Sequence, residues 1–162
     1  MRLEQRIKAQ QYDSRFPKRN LAIAGLSVLG LADALYMLAY HEGLIDSLYC
    51  PFFGEGCNIV GRSKHAQHFG IPNAAVGALG YTAMAALALW IKDKPPIKRA
   101  WPQLGLSAIS VAAVAASAFL TWEMGTKVRA WCFWCLTSVA INLTIMPLSL
   151  IDSDQKVNFS KN

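Results

Sequence analysis

Charge is what this chain has least of. Aspartate, glutamate, lysine and arginine make up 16% of its 162 residues, against about a quarter in an ordinary soluble domain. The shortfall is concentrated in four places. Residues 73–91, 101–122 and 131–151 hold no charged side chain, and residues 21–40 hold only Asp33. Each stretch has about the 20 apolar residues that a helix needs to cross a bilayer. Polar residues at helical spacing, which would give each helix one wet face, are missing too. That absence argues against a soluble bundle and for an all-α membrane protein of four spans. A secretory signal peptide has a core of only about 7–15 apolar residues, so the first stretch reads as a retained span. No internal repeat and no appended soluble domain are visible.

A basic patch for nucleic acid is also lacking, despite a net charge of +6. Arg2, Arg6, Lys8, Arg15, Lys18 and Arg19 precede the first span, Lys92, Lys94, Lys98 and Arg99 separate the second from the third, and Lys156 and Lys161 follow the fourth. The other two connections hold only Arg62 with Lys64, and Lys127 with Arg129. Twelve basic residues thus alternate with four, and the positive-inside rule puts both termini in the cytoplasm. The charge is topology. The expected layout is a basic N-terminus over residues 1–19, spans near 20–41, 73–91, 102–124 and 131–151, an extracytoplasmic loop at 42–72, and a disordered cytoplasmic tail at 152–162.

Tryptophan marks the span ends. Trp90 and Trp101 bracket the second cytoplasmic turn, and Trp122, Trp131 and Trp134 gather at the opposite face, as an interfacial belt does. Pro95 and Pro96 stiffen that turn, and Pro102 suits the first turn of the third helix. Pro147 lies inside the last apolar run, which predicts a kink or an end there. Ala108, Ala112 and Ala116 recur every four residues, and Gly77 and Gly80 lie in the second span. Small residues on one stripe let helices approach closely in lipid.

Cysteine is scarce, and its placement is informative. Cys50 and Cys57 lie in the long loop, Cys132 and Cys135 at the start of the last span. The charge pattern puts all four on the extracytoplasmic side, where disulfides persist. At a helix N-terminus the unsatisfied N–H groups and the helix dipole favour a thiolate at Cys132. Three residues of helical rise set Cys135 roughly 4–5 Å deeper, so one thiol meets the aqueous loop and the other the membrane interior. A lipid-soluble two-electron acceptor reaches the second. Gly54 and Gly56 make the link between Cys50 and Cys57 flexible, so that pair can close on itself or release one thiol to Cys132.

Two other readings stay open at this point. Four cysteines can hold structural zinc, although a membrane-embedded helix start and an apolar loop are poor settings for it. They can also form two inert disulfides in a four-span protein without catalysis. A CxxC crosslink, however, closes almost no chain and contributes little loop entropy.

The sequence resembles the vitamin K epoxide reductase (VKOR) family. The resemblance rests on Cys50, on Cys57-Asn58-Ile59-Val60 with Ser63 beyond, on Asn73 through Gly77 to Tyr81, and on Cys132-x-x-Cys135 ending in Ala140-Ile141-Asn142. It spans nearly the whole chain from the first helix. The other bacterial quinone-linked disulfide-forming membrane family carries its CxxC in the first external loop, the reverse of the order here. The resemblance implies a four-helix bundle around a quinone (ubiquinone, menaquinone or vitamin K) with the long loop as lid. It implies that Cys135 lies nearest the quinone with Cys132 as its partner, that Cys57 shuttles electrons to Cys132, and that Cys50 exchanges with a thioredoxin-fold (DsbA-like) protein. By the same resemblance Ser63 and Asn73 lie near the quinone, Asn73 as a hydrogen bond to its carbonyl. Animal members carry a tyrosine where this chain has Val139, which weakens the case for epoxide chemistry. Many bacterial members carry a fused thioredoxin domain that is missing here, so the partner is expected to be a separate protein.

Other residues carry weaker signals. Asp33 sits in mid-span, where a carboxylate is costly; it either carries protons to the reduced quinone or ties helices together. Glu123 reads as an interfacial anchor. His65 and His68 are too few for a metal and read as the solvated face of a lid helix. Phe52, Phe53 and Phe69 are either contacts to the quinone ring or anchors in the membrane surface. Asn73 is also well suited to cap a helix. The resulting expectation is a monomeric, metal-free enzyme of the bacterial cytoplasmic membrane. Its reaction is quinone-dependent disulfide formation, or the same wiring reversed to reduce vitamin K quinone or epoxide.

Overall fold

The computed structural model describes residues 2–92 and 99–159. The turn carrying Lys94, Pro95, Pro96 and Lys98 lies outside the described residues, as does Lys161. Four long helices dominate: α1 (Arg2–His41), α3 (Asn73–Lys92), α4 (Ala100–Glu123) and α5 (Phe133–Phe159). Each contains a segment long and apolar enough to cross a membrane: Pro17–His41, Asn73–Lys92, Ala100–Val128 with the π-helical turn that follows α4, and Phe133–Ile151. The protein is an all-α, multi-pass membrane protein.

α1 begins at Arg2, ahead of the span itself, and α5 continues to Phe159 where a disordered tail was expected. Residues 152–159 contain neither glycine nor proline, so nothing stops a helix that is already nucleated. Pro147 does not end α5 either. Proline is tolerated in membrane helices because neighbouring groups satisfy the carbonyl it frees.

The four helices form a closed ring in which α1 packs on α3, α3 on α4, α4 on α5 and α5 on α1. Water drives little of this association in lipid, where close packing and interhelical hydrogen bonds hold helices together. Gly30 provides the first: an added Cβ would lie 2.4 Å from the Tyr81 ring, so α1 and α3 meet only because that side chain is absent. The second runs through the bundle. Gln103 Nε2 and Ser107 Oγ both donate to the Ser149 carbonyl, at 2.8 and 3.1 Å, and Asn142 Nδ2 donates to Ser117 Oγ at 2.9 Å. Ile23, Met84, Ala88, Ile91, Leu106 and Ile145 fill one core cluster. A second gathers Tyr40, Leu48, Cys57, Met124 and Cys132.

The connection between α1 and α3 is folded. It contains the short helix α2 (Gly56–Arg62), a single 3-10 turn (Lys64–Ala66), and an antiparallel hairpin of β1 (Gln67–His68) and β2 (Ile71–Pro72). Phe69 and Gly70 form its two-residue turn with φ of 54° and 78°, the left-handed pair that a tight hairpin demands. α2 packs against α5 and the π-helical turn.

Candidate active site at the start of the fifth helix

The first turn of a helix leaves N–H groups without intrahelical partners. In α5 three of the N–H groups at this point meet sulfur. The Cys132 carbonyl accepts from Leu136 N–H at 3.1 Å, which makes Cys132 the capping residue. Its Sγ accepts from Cys135 N–H at 3.3 Å, in the geometry by which a serine oxygen usually caps a helix. Phe133 N–H points to Cys57 Sγ at 3.4 Å, and Cys132 N–H to Met124 Sδ at 3.3 Å. Cys132 and Cys135 are free thiols, whereas Cys50 and Cys57 form a disulfide. Cys57 and Cys132 are both 0% exposed and share one core cluster. The four sequence-predicted cysteines are thus together at one helix end.

Electrostatics separates the two motif thiols. The Cys132 thiol lies below its ordinary value, chiefly because the Cys135 thiol donates to it; burial opposes this, and the Cys135 and Trp134 N–H groups add to it. A thiolate held this way is the nucleophile for disulfide exchange.

Glycine acts here by close approach. An added Cβ on Gly56 would lie 2.3 Å from the Trp131 carbonyl oxygen. Backbone therefore rests on backbone where α2 meets the link to α5, and Cys57 follows into the core. In the link read as flexible, Gly54 takes φ of 53° in a turn, and Gly56 is buried. Asn58 ties the loop internally, accepting Leu48 N–H at 2.8 Å and donating to Glu55 Oε2 at 2.8 Å.

A second polar group joins the loop to the helices. Asn73 Nδ2 donates to the His65 carbonyl at 2.7 Å, which orients the amide so that its Oδ1 faces His68 Nδ1 at 2.9 Å. His68 Nδ1 must then be a donor. Its Nε2 lies 3.2 Å from Glu123 Oε2, and His65 Nδ1 lies 3.1 Å from Glu123 Oε1. The hydrogen bond to this carboxylate comes from His65, while His68 only stands beside Glu123 Oε2, which has no hydrogen-bond partner among the described residues. This overturns two expectations. Glu123 is buried and holds the loop instead of anchoring at the interface. His65 and His68 face that carboxylate from a 3-10 turn and a strand instead of forming a solvated helix face.

Deeper in the bundle, Ser138 Oγ donates to Asp33 Oδ2, and Tyr81 Oη donates to the Ser138 carbonyl at 3.3 Å. Asp33 Oδ1 is buried without a hydrogen-bond partner. Ser138 stands three residues beyond Cys135, on the same helix face, so Asp33 ties α1 to α5 one turn below the motif. Ser63 Oγ donates to the Val60 carbonyl at 2.8 Å and closes α2. Val139 is half-buried on α5, and Phe69 stands wholly exposed at the hairpin tip. Neither is drawn to the cysteines by a described contact.

The family model of the vitamin K epoxide reductase family matches residues 21–150. The chain belongs to that family. The match runs from the start of the first span to the end of the fourth, so the cysteine geometry above is that of the family domain itself. Membership in the vitamin K epoxide reductase family makes the chain a quinone-linked disulfide oxidoreductase. What sequence reading missed around the site is a set of ordinary residues: Met124, Tyr36 and the indole of Trp134. None has an unusual spacing. Gly56, directly before Cys57, carried the one available signal of close backbone approach.

Proposed function

We propose that this protein is a quinone-dependent, disulfide-forming oxidoreductase of a bacterial cytoplasmic membrane, with both termini cytoplasmic and all four cysteines outside. A reduced thioredoxin-fold (DsbA-like) protein passes two electrons to the Cys50–Cys57 disulfide. Cys57, now a thiolate, attacks the oxidised Cys132–Cys135 pair; the Cys57–Cys132 bond forms and Cys135 leaves as a thiolate. Cys50 then displaces Cys132, which restores the first disulfide and leaves the CxxC reduced. Two electrons and two protons pass from that dithiol to a quinone, ubiquinone or menaquinone, acting as co-substrate, and the second disulfide is restored.

One observation carries this reading: the first turn of α5 directs Phe133 N–H at Cys57 Sγ and Cys135 N–H at Cys132 Sγ. Two sulfur pairs meeting on one positive helix end is an arrangement for exchange. Inert crosslinks would not need a free, buried thiol beside a disulfide. The loop at 42–72 acts as lid. Asn73 uses one amide hydrogen on the His65 carbonyl and offers the other to a quinone carbonyl, where a donor stabilises developing negative charge. Ser63, Phe69 and Val139 complete the quinone-facing set, and Asp33 carries protons to the reduced quinone. No metal takes part.

The test is anaerobic. Purified protein, reduced and freed of reductant, is mixed with ubiquinone and separately with menaquinone while quinone absorbance is followed. Stoichiometric loss of one quinone is expected, and its abolition by Cys135→Ser. If neither quinone is consumed, the reading fails.

A further inference from the structure

The chain leading into Cys50 has no regular structure, yet both backbone groups of Tyr49 are engaged. Tyr49 N–H donates to Tyr36 Oη at 3.1 Å, and the Tyr49 carbonyl accepts Trp134 Nε1–H at 2.7 Å. The Tyr36 and Trp134 rings meet edge to face with centroids 5.0 Å apart. The residue before Cys50 is thereby gripped from α1 and from α5. Trp134 is one of the two residues between Cys132 and Cys135. The other, Phe133, meets the opposite end of the disulfide through its N–H, which points to Cys57 Sγ, while its ring lies 5.6 Å from that of Phe52 in the link between the two cysteines. The CxxC motif thus grasps the Cys50–Cys57 disulfide at both ends with its own middle residues.

The outcome of thiol–disulfide exchange depends on which sulfur is attacked. A disulfide free to turn would offer either atom to Cys132. Here Cys57 Sγ rests on the helix start that Cys132 caps, while the indole and the tyrosine hydroxyl hold the backbone beside Cys50. We propose that Trp134, with Tyr36, is a positioning residue that selects Cys57 over Cys50 as the sulfur exchanging with Cys132. This proposal rests on the exchange reading above. The step is redox-neutral. As the reverse of the last exchange proposed above, the Cys132 thiolate attacks Cys57 Sγ, the Cys57–Cys132 bond forms, the Cys50–Cys57 bond breaks, and Cys50 leaves as a thiolate that takes up a proton. Directed this way, the freed thiol is Cys50, which is half-buried where Cys57 is wholly so. It is the thiol a partner protein can reach.

The experiment needs no quinone. In full-length Cys135→Ser protein, Cys132 has no motif partner and equilibrates with the loop disulfide. Acid quenching, alkylation and peptide mass mapping then give the ratio of Cys57–Cys132 to Cys50–Cys132 crosslinks. Cys57–Cys132 should dominate. Adding Trp134→Phe keeps an aromatic ring and removes the N–H; loss of one hydrogen bond should lower the ratio about three- to tenfold. Tyr36→Phe loosens the same grip from α1 and should shift the ratio in the same direction, which covers the case of a poorly folding Trp134 variant. An unchanged ratio in the variants overturns the proposal. Failure of the quinone assay would instead sink the functional reading and leave this ratio standing.

Discussion

Cys132 caps a helix with sulfur, and this has a measurable consequence. The Cys135 thiol and two backbone N–H groups donate to it and outweigh the burial that favours the neutral form, so its pKa is lowered. The sign follows directly: a lowered value means that the thiolate persists as pH falls through the range where an ordinary thiol is already protonated. In Cys50→Ser, Cys57→Ser protein, which leaves only the two motif thiols, ultraviolet thiolate absorbance should titrate below the usual thiol range. Cys135→Ala removes the largest cause and should move that titration upward. A titration in the ordinary range before and after the change would refute the cap as the source of reactivity.

Among the elements, the hairpin end of the loop meets the third span at one buried carboxylate. Glu123, on the last turn of α4, receives His65 and His68, and Asn73 at the start of α3 fixes His68 from the other side. Removing one partner of a buried polar contact costs about 1–3 kcal/mol, because the remaining group is left unsatisfied. Glu123→Ala should therefore lower the opening free energy of residues 63–72 by about that amount. Amide hydrogen exchange in detergent would register this as faster exchange in the hairpin, with the spans unaffected. Unchanged protection there would mean that the hairpin is held by something other than this carboxylate. The Asn73 geometry also refines its role: its side chain serves the loop rather than capping α3.

For the whole molecule, the proposed orientation rests on the charge asymmetry and not on the packing of helices. Twelve basic residues lie at one end of the spans and four at the other, and cytoplasmic loops keep the excess. With the four native cysteines replaced by serine, Lys64→Cys should react with an impermeant maleimide in intact cells. Lys94→Cys should react only after permeabilisation. The opposite pattern would invert the protein and put the redox centre in the reducing compartment.

Much of this was legible along the chain. Four runs without charge dictate four helices, because a backbone in lipid must satisfy its own hydrogen bonds. The CxxC at the start of the last run dictates a thiol pair at a helix N-terminus. The short link between Cys50 and Cys57 already allowed that pair to close on itself, and the disulfide between them follows that reading. Helix ends were less legible, since residues 152–159 are mostly polar yet contain neither glycine nor proline to break a helix. Contacts that join distant segments were not legible at all. Trp134 on the Tyr49 carbonyl, Glu123 between two histidines and Gly56 against the Trp131 carbonyl link positions far apart in the chain. Hydrophobicity and helical period are local properties, so the sequence by itself determined which segments enter the membrane and where the reactive sulfur lies. Which side chains meet across the folded loop depends on how the helices close into a ring, and only the tertiary structure decided that.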